Sequence, residues 1–455
     1  MKSGVDEKLG QMPIKKLILS MSAPIVISML VQSMYNLVDS IFVAQIGEDA
    51  LTAVSLAFPL QQLFFAVGIG TATGVNSYIS RCLGAQNKKN ANKAANNGIV
   101  LALLSYLVFF AVGLLFARDF IMLQTQDPSI ISQGPIYLRI CCMGSAGIFM
   151  HLMVERILMA AGSTMLTMVA QMTGAILNII LDPILIFGLF GMPRLGLMGA
   201  AVATVISQTV GAIIVTVFCI KYNKDIKLSP RYMKLDPHIV MSIYKVGLPS
   251  IVMISINSLT VFSLNKILAN FSNTAVALMG VYYKLQGFIF MPIFGLNNGV
   301  VPIVAYSYGA KNQDRLREVI KIAMVYGLAI MLVGMVIMQL MPDKLLIPFK
   351  PSQYMIDAGV IAFRIMSMSF LFTGVSIISS GVFQAIGSGF LSMSISIIRQ
   401  LVVLVPASYL LSLTGNLNNV WWGVFIAELV SFIVCLFVLK RDIFSIDGVK
   451  FKQIN

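Results

Sequence analysis

The chain has 455 residues, of which 58% are hydrophobic and only 11% charged, with a net charge of +14 and a mean hydropathy of +0.88. A soluble domain is about 45–50% apolar and about 25% charged, and a globule of this size cannot bury so much apolar surface and still cover itself with polar groups. A soluble enzyme, a disordered chain and a disulfide scaffold are therefore excluded, leaving an all-α polytopic membrane protein. A spanning helix needs ~20 mostly apolar residues. In chain order, spans are expected near 17–43, 51–80, 96–117, 134–160, 164–190 and 195–220, then near 240–269, 275–306, 318–341, 358–385, 389–414 and 418–439. These twelve runs lack strict two-residue alternation and are about twice the ~10 residues of a barrel strand. Residues 1–16 are polar, and the apolar stretch behind them has no short core with a small-residue cleavage site, so a cleavable leader is not expected.

The basic residues collect on one side of this pattern. Lys2, Lys8, Lys15 and Lys16 lie at the N-terminus; Arg81, Lys88, Lys89 and Lys93 between spans two and three; Lys221, Lys224, Lys227, Arg231 and Lys234 at the centre. Lys311, Arg315, Arg317 and Lys321 lie between spans eight and nine, and Lys440, Arg441, Lys450 and Lys452 in the tail. The opposite connections hold only Arg118, Arg194, Lys266, Lys344 and Lys350. Basic loops stay cytoplasmic, so both termini are expected in the cytoplasm of a cell that places this protein in its inner (plasma) membrane. The net charge thus reads as an orientation signal and not as a nucleic-acid footprint.

The chain repeats itself at an offset of 225 residues. Pro24 pairs with Pro249, Gly70 and Gly74 with Gly295 and Gly299, Gly84-Ala85 with Gly309-Ala310, Arg139-Ile140 with Arg364-Ile365, and Gly162-Ser163 with Gly387-Ser388. The offset slips to 224 where Gly199 meets Gly423. Six spans per repeat give both halves the same orientation, the parallel kind of duplication that builds two rocking bundles around a cleft. The expected domains are an N-lobe over 1–220, a basic linker over 221–239 with Pro230 and Pro237, a C-lobe over 240–440 and a cytoplasmic tail over 441–455. A two-bundle monomer favours a transporter over a channel.

Ionisable groups inside a bilayer are costly and default to functional hypotheses. Asp39, Glu155 and Asp182 fall within first-half spans, whereas their counterparts are Leu264, Ser380 and Ala407. Asn178 and Asp182 are four residues apart and share a helix face. Asn36 and Asp39 share another, with Gln32 and Tyr35 nearby. Both groups sit in the outer halves of outward-running spans, at a depth where they can converge. A buried carboxylate there can take and release a proton, and its oxygens with Asn carbonyls can hold sodium. The plain structural alternative is a hydrogen-bonded cluster that fixes helix packing. Glu155, followed by Arg156, is either an internal ion pair or a carboxylate that attracts an organic cation. Arg399 and Glu428 look like a structural pair. Lys284 can snorkel or pair across the cleft.

The 29 Met and 28 Phe suit a cavity that accepts many shapes, and aromatic faces attract cations. Met291, Phe288, Phe290 and Phe294 on span eight are the candidates, although most such residues pack helices or face lipid. His151, one turn before Glu155, reads as a packing or hydrogen-bonding residue. The five cysteines form no CxxC and have no histidine partner, so no metal site, haem or other cofactor is expected. No nucleophile–base set or phosphate loop suggests an enzyme.

At these residues the sequence resembles the multidrug and toxic compound extrusion (MATE) family of efflux transporters. Pro24, Gln32, Tyr35, Asn36, Asp39, Phe42, Val43 and Gly47 follow the family's first-span pattern. Asn178 and Asp182-Pro183 resemble its fifth-span motif. Asn297, Asn298, Gly299, Pro302 and Tyr308-Gly309-Ala310 resemble its eighth-span exit, and Gln384, Gly387, Arg399-Gln400 and Pro406 also fit. Glu155 together with Asp182 looks most like the MepA-type bacterial branch. The resemblance implies a V-shaped molecule of two six-helix bundles that exports cationic amphipathic drugs in exchange for protons or sodium. It implies cation coupling at Asp39, Asn178 and Asp182, with Asn36 beside them, and substrate contacts from Glu155, Asp182, Met291, Phe288, Gln32 and Tyr35. Acidic residues that some members carry on spans seven and ten are missing here, which points to the first lobe. A lipid-linked precursor flippase of the same architecture is the alternative. It would need several basic residues in the cleft, where Lys284 and Arg399 are the main candidates. The 81–93 connection lacks the loop signature of major facilitator importers.

Overall fold

The computed structural model describes residues 4–229, 232–349 and 352–444. Lys2, Pro230, Arg231, Lys350, Lys450 and Lys452, invoked above for orientation and for the linker and tail, lie outside the described residues. A π-helical turn at Asp6–Gln11 leads into α1 (Ile14–Ala44), α2 (Glu48–Gly84), α3 (Lys88–Met122), α4 (Pro128–Met143), α5 (Ala146–Ala160), α6 (Thr164–Phe187) and α7 (Leu197–Tyr222). The second half holds α8 (Pro237–Ala269), α9 (Asn273–Gly309), α10 (Gln313–Leu340), α11 (Pro342–Leu346), α12 (Gln353–Ser367) and α13 (Phe370–Ala385). It ends with α14 (Gly389–Ile397), a π-helical stretch at Ile398–Leu404, α15 (Val405–Ser412), α16 (Leu417–Val420) and α17 (Trp422–Asp442). The described residues contain ten helices long and apolar enough to cross a membrane, or up to twelve when each of two bent pairs is one span. Runs of exposed apolar side chains such as Leu103, Leu104, Leu107, Val108, Leu114, Leu115 and Phe116 on α3 give the bilayer-facing surface of a membrane protein.

Each expected span has its helix, with one refinement at matching places in the two halves. The fourth breaks between α4 and α5 by 40°, and the tenth between α12 and α13 by 47°. A serine hydroxyl bonds a helix carbonyl at both breaks. Ser145 Oγ donates to the Cys142 carbonyl at 2.7 Å, and Ser369 Oγ donates to the Met366 carbonyl at 2.6 Å. A hydroxyl that competes for a helix carbonyl is an established source of bending.

The duplication is also written in the backbone. α2 and α9 have 37 residues each and start and stop at positions 225 apart. Asn87 caps α3 by accepting from Asn90 N at 3.1 Å; Asn312 caps α10 by accepting from Arg315 N at 3.0 Å. The left-handed residues Gln86 (φ 57°) and Lys311 (φ 55°), and Gly162 (φ 79°) and Gly387 (φ 83°), repeat in register.

The chain forms two compact units. One holds the residues up to Lys8 together with Ile27–Ile251; the other holds Leu9–Val26 and everything from Val252 onward. The first half of α8 therefore belongs to the first unit, and the first half of α1 to the second. The paired glycines make room for these borrowed half-helices. A Cβ on Gly74 would collide with the Ile243 carbonyl oxygen, and one on Gly70 would lie 2.9 Å from the Gly247 carbonyl oxygen. In the second unit a Cβ on Gly299 would lie 2.9 Å from Ser22 N, and one on Gly295 3.0 Å from Val26 N. Such small-residue grooves let backbones approach in apolar surroundings.

Within the first unit the linker is gripped by side-chain amides of α3. Asn96 accepts from Ser229 N at 2.9 Å and donates to the Lys227 carbonyl at 2.9 Å. Asn97 accepts from Asp236 N at 2.9 Å and donates to the Lys234 carbonyl at 3.4 Å. Each amide thus pairs with residues two apart, as a neighbouring strand would. Lys88 to Asp225 and Lys93 to Asp236 add ion pairs, both at 3.0 Å.

Candidate functional site

The first unit contains an open cleft with about 440 Å³ of empty space, its solvent mouth included, lined by α1 (Gln32, Tyr35), α2 (Phe65), α5 (Ile148, His151), α6 (Gln171, Gly174, Ala175, Asn178) and α7 (Thr204, Ser207, Gln208, Gly211). The spacing explains the lining. Residues 171, 174, 178 and 182 fall on one stripe of α6, and 204, 207, 208 and 211 on one stripe of α7. α6 and α7 pack along their length. A Cβ on Gly174 would lie 3.2 Å from the Ser207 carbonyl oxygen, so glycine permits this close approach. Phe42 of α1 meets Phe187 of α6 edge to face, with ring centroids 6.3 Å apart. This contact ties the two helices together about one turn beyond their carboxylates.

At the end of the cleft lies a cluster of oxygen acceptors. Asn178 and Asp182 are 2% and 0% exposed. Asn178 Nδ2 donates to Asp182 Oδ1 at 3.3 Å. The carboxyl groups of Asp39 and Asp182 lie within hydrogen-bonding reach of each other, and the Tyr35 hydroxyl is within electrostatic reach of both. Asp39 Oδ1, Asn178 Oδ1 and Asp182 Oδ2 are buried without a hydrogen-bond donor among the described residues. Buried polar atoms are nearly always satisfied, and ionised carboxylates and amide carbonyls can only accept. Two adjacent carboxylates also repel when both are ionised. Such a trio is completed by something that brings positive charge: a shared proton or a bound cation.

The structure thus gathers Gln32, Tyr35, Asp39, Asn178 and Asp182 in one place. Asn36 is exposed and lies outside the cleft lining. Glu155 is half-buried on α5, one turn from His151, and does not line the cleft either. Met291 and the exposed Phe288 stand on α9 in the second unit. Phe290 is a packing residue, with its ring 5.1 Å from that of Phe370. Lys284 is exposed. Arg399 and Glu428 form an ion pair at 3.1 Å. Sequence reasoning missed Phe65, Gln171, Thr204, Ser207 and Gln208, and it read His151, which lines the cleft, as a packing or hydrogen-bonding residue. The usable signal was the amides: Gln171 is two turns before Asn178 on the same stripe, and Gln208 is a further amide in an apolar span.

A bundle of spanning helices with an internal cleft that ends in unpartnered acceptors suits a membrane transport protein. The MatE family model matches residues 24–184 and 249–410, one match in each half. The chain belongs to the MatE family, whose members are transporters and not enzymes. It is 26% identical over 438 residues to the multidrug export protein MepA of Staphylococcus aureus (strain bovine RF122 / ET3-1), covering 96% of each chain. It is also 26% identical over 425 residues to MepA of Staphylococcus haemolyticus (strain JCSC1435), covering 93% of each. Its structure resembles the outward-facing conformation of a multidrug resistance MATE family transporter of the MOP superfamily. The TM-score is 0.90, with 26% identity over 97% of this chain and 98% of that one.

Proposed function

We propose that the protein is a secondary active multidrug efflux transporter that exports cationic amphipathic compounds by antiport with protons, sodium being the alternative coupling ion. The observation that carries this reading is the buried acceptor trio of Asp39, Asn178 and Asp182 at the end of an amide-lined cleft. With the site empty of drug, a proton shared by Asp39 and Asp182 satisfies two of the three acceptors. A cationic drug drawn to the same oxygens competes for that positive charge, so loading of one favours release of the other, which is the thermodynamic core of antiport. Gln32, Tyr35, Gln171 and Gln208 orient the drug with neutral dipoles and an aromatic face, which suits varied cations. Asn36 borders the coupling carboxylates, and Glu155, Met291 and Phe288 contribute to drug recognition at other stages of an alternating-access cycle.

The proposal places the protein in the plasma membrane as a monomer with both termini cytoplasmic, supported by the one-sided basic connections. It requires no cofactor, and its partners are drugs and the bilayer. The N-lobe over 1–220 carries coupling, the linker over 221–239 joins it to the C-lobe over 240–440, and the tail follows from 441. The test is drug exchange in proteoliposomes with pH and sodium gradients imposed separately. Exchange under a pH gradient without sodium is the expected result. Exchange under sodium alone would replace the proton, and no exchange under either would overturn antiport. Asp182→Asn should abolish ethidium export from cells at unchanged protein level, and full export by that variant would remove the carboxylate from the mechanism.

A further inference from the structure

Positions that line the first-bundle cleft have counterparts in the second bundle, where several residues differ. With the 225 offset, Gly174 and His151 correspond to Arg399 and Ser376; with the 224 offset after the slip, Thr204, Ser207 and Gly211 correspond to Glu428, Ser431 and Cys435. Contacts support this correspondence independently of the counting. In the first bundle a Cβ on Gly211 would lie 2.9 Å from His151 Nδ1, so the large residue is on α5 and the small one on α7. In the second bundle the Cys435 thiol lies close to Ser376, Ser379 and Ser431. The corresponding contact in the second bundle joins two small side chains, Ser376 and Cys435.

The decisive exchange is at the cleft itself. Where the first bundle has Gly174 and Thr204 on its lining, the second has a guanidinium and a carboxylate. Arg399 Nη1 donates to Glu428 Oε1 at 3.1 Å, with side chains 24% and 14% exposed. Arg399 stands in the π-helical stretch Ile398–Leu404, which packs against α17 and its Glu428. π-Turns of this kind recur at functional positions, where an extra residue re-aims side chains. Glu428 Oε2 is buried without a partner among the described residues, so the carboxylate retains capacity for a second donor. Ser431 Oγ and Ser376 Oγ are likewise buried without partners.

We infer that Arg399 is a tethered occupant of a second organic-cation pocket, and that Glu428 is the recognition carboxylate of that pocket. The guanidinium is held in the second bundle as a free organic cation would be. The contact is a single charge-assisted hydrogen bond from Nη1 to Oε1, stronger than a bond between neutral groups. The bundle without the coupling trio is thereby closed by its own side chain. Vacated, the pocket takes guanidinium or a small alkylguanidinium.

The test uses the purified full-length protein and reads thermal unfolding, which does not depend on whether the protein transports anything. Arg399→Gly installs the residue found at position 174 and leaves Glu428 unpaired. Its melting temperature should fall below the parent's by several degrees. It should then rise with millimolar guanidinium chloride, as ligand linkage requires, but not with sodium chloride at equal ionic strength. Arg399→Gly combined with Glu428→Thr restores the first-bundle pair, should melt above Arg399→Gly alone and should ignore guanidinium. The inference is overturned if guanidinium fails to raise the single variant or raises the double variant equally. Should Arg399→Gly not accumulate, the double variant decides. Accumulation comparable to the parent supports a pocket filled by the ion pair, and loss of both variants rejects it.

Discussion

Three side chains dominate at the scale of residues, and they were legible because charge in an apolar run is conspicuous. Asn178 and Asp182 meet as their helical spacing predicts, and Asp39 joins them from another helix at similar depth. The neutral half of the cleft was not legible, because Ser, Thr and Gln occur throughout spanning helices and only packing shows which of them face inward. The two halves of the site should respond differently to mutation. Gln171→Ala and Gln208→Ala each remove one neutral hydrogen bond, which is worth about 0.5–1.5 kcal/mol. Half-maximal drug exchange should then need about two- to tenfold more drug, with the maximal rate retained. Asn178→Ala removes the amide that donates to Asp182 and should lower the maximal rate itself, as measured in proteoliposomes at saturating drug. An unchanged maximal rate would place Asn178 with the neutral lining and not with coupling.

Among the elements, the linker is the least expected structure. Its basic, proline-containing sequence reads as a loose strap, yet Asn96 and Asn97, both fully buried, pair with its backbone as a strand would. Nothing in the local sequence of α3 announces this, since two adjacent asparagines early in a helix read as ordinary polar residues near a membrane boundary. Replacing either asparagine by Ala strands a backbone N–H and a carbonyl. Each change should cost about 1–3 kcal/mol, detectable as a lower melting temperature and as faster protease cleavage within 223–236. The Lys93 ammonium, by its hydrogen bond and its charge, holds the half-buried Asp236 carboxyl below the usual carboxylate range. With the folded value depressed, the clamp's contribution is present above the ordinary carboxylate value and fades as pH falls through the lowered one. Cleavage of the linker should therefore be insensitive to pH near neutrality and accelerate only in acid. The glycine grooves make a sharper prediction. Gly74→Ala sets a methyl against the Ile243 backbone and should destabilise by about 1–3 kcal/mol, whereas Gly191→Ala, with open space around it, puts only the strain of a left-handed residue on a surface turn.

For the whole molecule, spans and duplication were legible because hydropathy and a constant offset are one-dimensional signals. The breaks in the fourth and tenth spans fall at serines that look like many others in the spans, and the exchange of half-helices depends on tertiary packing, so neither could be read from the chain. That exchange follows the repeat: Leu9–Val26 and 234–251 are the same segment of the two halves, each incorporated in the other's unit. Two copies of one half-length chain that lend each other an identical element form a domain-swapped dimer. A fragment ending at residue 229 should accordingly be degraded when expressed alone and accumulate when co-expressed with a fragment starting at 232, as read by immunoblot of membranes. The same geometry imposes a schedule on synthesis. Chain emerges from the ribosome N-terminus first, so α2 enters the bilayer with its Gly70–Gly74 groove empty. The groove stays so until the segment ending at Ile251 has been made. The first bundle is thus completed by residues from the second half of the message, and nascent chains stalled before that point carry an open seam that quality-control proteases can recognise.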